Sequence, residues 1–137
     1  MELKDKQAEK YLEEAELSLR AAESIFDLND EEMYAHVVKN CYDSIEQSIS
    51  SALAKKDLMI PKEHPAKITE FVNAYNPEIK IKEILFYWLR KRSSSQYVDI
   101  KDGKIIVPHE IFEKEDAEKA LEDCEKIIDY IKKLIKK

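Results

Sequence analysis

A single glycine, Gly103, occurs in 137 residues, and only four prolines accompany it (Pro61, Pro65, Pro77 and Pro108). Glycine supplies the backbone angles of tight turns, so this chain lacks the turn formers that a sandwich or barrel of many short strands requires. Glycine-rich phosphate loops, both the dinucleotide fingerprint and the P-loop, are excluded on the same ground. Hydrophobic residues make up 44% of the chain, enough for a packed core and too many for disorder. The length fits one domain spanning residues 1–137. What remains is a mostly helical protein.

Apolar spacing divides the chain into helices. Ala8, Tyr11, Leu12, Ala15, Leu19, Ala22 and Phe26 recur at three- and four-residue steps, predicting a first helix from about Leu3 to Leu28. Asn29, with Glu32 three residues on, reads as the capping box of a second helix reaching about Lys56. Tyr34, Val38, Cys41, Ile45, Ser48 and Ala52 form its stripe. Together the two make a long helical hairpin. Pro65 suits the start of a short third helix carrying Ile68, Phe71 and Val72. Asn76-Pro77 then reads as cap and first residue of a fourth helix, which is apolar nearly all round up to Arg90. Such a helix is expected to sit centrally or to meet a second subunit. After Ser95 the helical pattern lapses, and Lys101-Asp102-Gly103 between Tyr97–Ile100 and Lys104–Val107 predicts a β-hairpin. Ala117, Ala120, Leu121, Cys124, Ile127, Ile128, Ile131 and Leu134 mark a last helix from about Glu113 to Lys136. The expected fold class is all-α: an up-and-down four-helix-type bundle with an extra short helix and a small β-hairpin before the last helix.

Chemistry is sparse along this chain. Cys41 and Cys124 lie on apolar stripes and read as small core residues. His36, His64 and His109 have no ligand partner at metal-binding spacing, so no metal and no cofactor is expected. His36 reads as exposed, His64 as a helix cap and His109 as a loop residue. The opening MELKDKQAEK lacks an apolar signal core, and no apolar run approaches a membrane span. A cytoplasmic protein without a membrane partner is expected, and its abundant Glu and Lys suit a thermophile.

Net charge is −6, yet residues 79–104 hold seven basic residues against three acidic, a +4 segment that leaves −10 elsewhere. Within it lies Trp88-Leu-Arg-Lys-Arg-Ser-Ser-Ser-Gln-Tyr97, with two of the chain's three arginines. Guanidinium forks bind phosphate, hydroxyls add donors, and a tyrosine ring can stack on a base. Cations capping the end of a helix would produce the same pattern.

The chain resembles the HEPN domain (higher eukaryotes and prokaryotes nucleotide-binding), especially its small stand-alone prokaryotic and archaeal members. The likeness rests on the opening hairpin, on Tyr42-Asp-Ser-Ile-Glu46-Gln-Ser-Ile-Ser-Ser-Ala-Leu53 around a helical glutamate, on His64 leading a short apolar helix, and on the later arginine motif. In catalytic members that motif is an arginine, four to six residues, then a histidine, and it cuts RNA without metal across a homodimer. Here Arg92 is followed by Ser-Ser-Ser-Gln and then Tyr97, which stands in the histidine's place, and Ser50 stands where the family carries a lysine. A phenol is a poor acid or base at neutral pH beside an imidazole.

The resemblance therefore implies a homodimeric nucleotide- or RNA-binding module, paired with a minimal nucleotidyltransferase as in toxin–antitoxin systems. Its ligand residues would be Arg90, Lys91, Arg92, Ser93 and Tyr97, with Glu46, and Arg92 would contribute most. Two alternatives stay open. One is a metal-independent ribonuclease toxin with Arg92 and Tyr97 catalytic, and the other a non-catalytic helical dimerisation module. Whether the chain is an enzyme is left undecided at this level.

Overall fold

The structure, a computed structural model, describes residues 2–136. Its helices are α1 (Glu2–Phe26), α2 (Tyr34–Lys55), α3 (His64–Tyr75), α4 (Ile79–Gln96), α5 (Pro108–Ile111) and α6 (Lys114–Ile135). Strands β1 (Asp99–Lys101) and β2 (Lys104–Ile106) form one antiparallel ribbon between α4 and α5. The architecture is the expected helical bundle with its small hairpin. Two short helices rather than one accompany the four long ones, because Pro108 opens α5 instead of merely ending the ribbon.

The central element is α2, not α4. It packs against α1, α3, α4 and α6, and sixteen of its residues are buried. Small side chains make this possible. Ala8, Ala15 and Ala22 lie seven residues apart on α1 and are buried. Ser51 Oγ donates to the Ala8 carbonyl at 2.7 Å, and Ser44 Oγ to the Ala15 carbonyl at 2.6 Å. Seven residues forward on α1 thus match seven backward on α2, a heptad seam closed by hydroxyls that would otherwise be buried unpaired. Cys41 and Cys124 meet in the core as free thiols, and hydrogen bonding between them together with burial pushes the Cys41 thiol far up. They behave as small core residues.

On α4, Ile81, Leu85 and Trp88 enter the core. The Trp88 indole donates to the buried Asp123 carboxylate on α6 at 2.8 Å, and Lys119 approaches the same oxygen at 3.1 Å. Ile84, Phe86, Tyr87 and Leu89 are only partly buried, so the helix uses its apolar surplus for a shallow wall.

Several local expectations are corrected. Asp30, not Asn29, caps the turn before α2, accepting from the Glu32 amide at 3.0 Å, while Asn29 takes a left-handed φ of 53°. Asn76 closes α3 at a left-handed φ of 43° and does not cap α4, whose N-cap is Glu78. The helix α4 ends at Gln96, in line with the lapse expected after Ser95, but its last turn holds no basic residue. The arginines therefore stand on its flank and do not cap its end. No helix among the described residues is long and apolar enough to cross a membrane.

Candidate functional site

Two polar assemblies flank the carboxyl-terminal half of α4. The first centres on Glu46, which is 8% exposed on α2. Its Oε1 accepts from Lys67 Nζ at 2.9 Å, and its Oε2 is hydrogen-bonded to His64 Nδ1. Both donors come from α3, whose first turn is set by Pro65. His64 is thus no helix cap; Glu63 holds that position without a side-chain bond. Burial disfavours the Glu46 charge, but the hydrogen bonds from Lys67 and His64 outweigh it and hold the carboxyl below its usual range.

Tyr42, one turn earlier, is 1% exposed, and its ring meets that of His64 at 65° with the centroids 6.1 Å apart. Burial, with Glu46 alongside, pushes its phenol well up, and the Arg92 charge opposes that shift. Asp43 is likewise raised by burial, with Lys39 and Arg92 countering. Among the described residues, the Tyr42 hydroxyl and Arg92 Nε are the buried side-chain polar atoms without a hydrogen-bond partner. Arg92 therefore bears on α2 from behind.

The second assembly is a cleft of about 430 Å³ between the end of α4 and the ribbon. Arg90, Ser93, Ser94 and Tyr97 line it from the end of α4, and Val98, Asp99, Lys101 and Ile106 from the ribbon side. The α4 residues Arg90, Ser93 and Ser94 fall at i, i+3 and i+4, one face of the helix, and Tyr97 follows as its extended C-cap. Tyr97 is 54% exposed there, and the Arg92 guanidinium carbon stands 5.8 Å from its ring centroid.

The sequence-predicted residues therefore divide three ways. Arg90, Ser93 and Tyr97 share the cleft. Arg92 backs the Tyr97 ring and faces Tyr42 and Asp43, and Glu46 is engaged by α3. Lys91 leaves the cleft, its Nζ lying 5.7 Å from the Tyr87 centroid. Sequence reasoning missed Tyr42, Lys67 and Lys101. Arg90 and Arg92 separate only once α4 is seen to continue through Ser93 to Ser95, which puts Arg90, Ser93 and Ser94 on one face. Ser50, where the family lysine was expected, is 1% exposed, and the cation beside Glu46 is Lys67 from the next helix. Among the described residues, no group of three or more histidine, cysteine, aspartate or glutamate side chains is arranged to hold a metal ion.

The fold has a solved counterpart in the protein TT1696 from Thermus thermophilus, similar at a TM-score of 0.77 and 17% identity over 93% of this chain and 97% of that one. At that identity the likeness concerns the fold alone. No curated protein sequence matches the chain. A sequence model of the HEPN domain, however, matches residues 6–134, nearly the whole length, and takes in both helices of the opening hairpin, Glu46 with its α3 partners, and the arginine-bearing end of α4. The chain belongs to the HEPN domain family.

Proposed function

We propose that the protein is a nucleotide- or RNA-binding module whose ligand enters the cleft between α4 and the ribbon. The observation that carries this reading is the helical face bearing Arg90, Ser93 and Ser94, continued by the C-cap Tyr97 and joined in the cleft by Lys101, with Asp99 as its one acid among the described residues. Arg90 and Lys101 supply positive charge to a phosphate, the serines donate hydrogen bonds, and the half-exposed Tyr97 ring offers a base a stacking surface. Arg92 is a positioning residue that supports that ring. No histidine is among the residues lining the cleft. Binding is therefore favoured over metal-independent cleavage, since a phenol is a poor substitute for an imidazole in acid–base catalysis.

The module acts as a homodimer in this reading. The large apolar side chains left exposed include Val98 at 64%, Ile100 at 73% and Ile105 at 69%, the last two cross-strand neighbours on the ribbon. A second copy covering them would hide an apolar patch that water solvates poorly. Light scattering should return about twice 16.1 kDa, falling to one chain in the Ile100→Lys, Ile105→Lys variant. A small nucleotidyltransferase is the proposed partner on the strength of the family resemblance, and co-purification of the two tests it. Binding itself is tested by titrating a labelled short oligoribonucleotide. Saturable binding that weakens in Arg90→Ala supports the cleft, and its absence refutes it.

A further inference from the structure

We infer that the cleft is one end of a longer track, and that the ligand is single-stranded RNA of several nucleotides laid along α4 into the groove between α4 and α6. The inference rests on the reading above and extends it from a nucleotide-sized ligand to an extended strand. That groove, about 720 Å³, begins where the cleft ends, because Arg90 lines both. From Lys80 to Gln96 the path follows α4 for about 24 Å at a rise of ~1.5 Å per residue. A mononucleotide would leave most of it unused.

The groove matches a polyanion with exposed bases. Lys80, Lys82, Arg90, Lys119 and Lys126 line it against two acidic residues, Glu83 and Asp123. Asp123 is bonded by Trp88 and paired with Lys119, and Lys126 is paired with Glu122, which leaves Lys80, Lys82 and Arg90 as the groove cations without an ion-pair partner among the described residues. The α4 side of the groove lies in the +4 segment of residues 79–104, whereas the remainder of the chain, α6 included, sums to −10, so a phosphate backbone is drawn to the α4 wall. Tyr87 fixes two of the neighbouring cations in place: Lys119 Nζ lies 4.7 Å and Lys91 Nζ 5.7 Å from its ring centroid. Between the lysines the groove wall is apolar, formed by Ile79, Ile84 and Phe86. Unpaired bases can pack there, whereas a duplex turns its bases inward and presents only phosphate and sugar.

The test compares a labelled uridine dinucleotide with a uridine decamer by fluorescence anisotropy, using wild type and the Lys80→Glu, Lys126→Glu variant. Both lysines are exposed, and an unchanged melting temperature checks that losing the exposed Lys126–Glu122 pair spares the fold. Wild type should bind the decamer at least about tenfold more tightly, with a salt slope steeper by ~0.7 for each additional phosphate neutralised. The variant should lose that gain and keep dinucleotide affinity. Equal affinity for both lengths in wild type, or an unaltered gain in the variant, overturns the track while leaving the cleft reading intact. Failure of both oligonucleotides to bind overturns the cleft reading as well. A drop in mass by light scattering in the variant, with the RNA length dependence untouched, would assign the groove to a second copy of the chain and also overturn the track.

Discussion

Glu46 on α2 and Lys67 on α3 are joined by a hydrogen bond of 2.9 Å, with Glu46 buried and its second oxygen held by His64. The bond fixes a short helix to the central one and favours the charged carboxylate where burial disfavours it.

Stability should therefore respond to acid through Glu46. Its carboxyl is held below the usual range in the fold, so its contribution is fully present above the unfolded value of ~4.3 and is lost as pH falls through the folded one. Glu46→Gln should cost about 1–3 kcal/mol at pH 7, and the difference from wild type should shrink below about pH 4. Denaturant unfolding at both pH values measures it. A pH-independent difference would contradict the role given to charge.

The α1–α2 seam should not tolerate bulk. Ala15 is fully buried, and its carbonyl accepts from Ser44. Ala15→Leu should destabilise by ~1–3 kcal/mol or more through overpacking, while the same change at exposed Glu14 should be nearly neutral. Thermal melts of the two variants decide whether close approach of these helices is as strict as the seam implies.

Trp88→Phe keeps most of the apolar volume but leaves Asp123 with only Lys119. A loss of about 1–3 kcal/mol is expected, larger than volume change alone would give. Pairing it with Asp123→Asn in a double-mutant cycle isolates the hydrogen bond, and strict additivity would show that the bond contributes nothing.

Much of this architecture is legible in one dimension because its causes are local. The seven-residue spacing of Ala8, Ala15 and Ala22 marks a close-packed face. Asp102 and Gly103, both at positive φ (52° and 74°), form the turn that their identities suggest. The rest depends on contacts distant in sequence. Nothing in the spacing of Glu46, His64 and Lys67 says that a loop returns α3 onto α2 and satisfies one carboxylate twice. Asp123 looks like a surface residue until Trp88 meets it. Ser93 to Ser95 are weak helix formers, yet α4 continues through them, with Ser95 buried and its hydroxyl bonded to the Arg92 carbonyl. That continuation turns Arg90 toward the cleft and Arg92 away from it, which the order of residues alone does not separate.

Tyr97 distinguishes binding from catalysis. Tyr97→Phe retains the ring and should leave affinity for a short oligoribonucleotide nearly unchanged, whereas Tyr97→Ala should cost ~1–3 kcal/mol. If the protein were instead a metal-independent ribonuclease, wild type would cleave RNA in EDTA and Tyr97→Phe would abolish the cleavage.

The most direct test of the central claim is calorimetric titration of a short oligoribonucleotide into wild type, Arg90→Ala and Arg20→Ala. Arg90 lines the cleft, and Arg20 is an exposed arginine on α1 that controls for charge alone. Arg90→Ala should weaken binding by ~1–3 kcal/mol through lost charge-assisted hydrogen bonds, and Arg20→Ala should match wild type. Equal losses at the two positions, or none at either, would contradict a phosphate site at the end of α4.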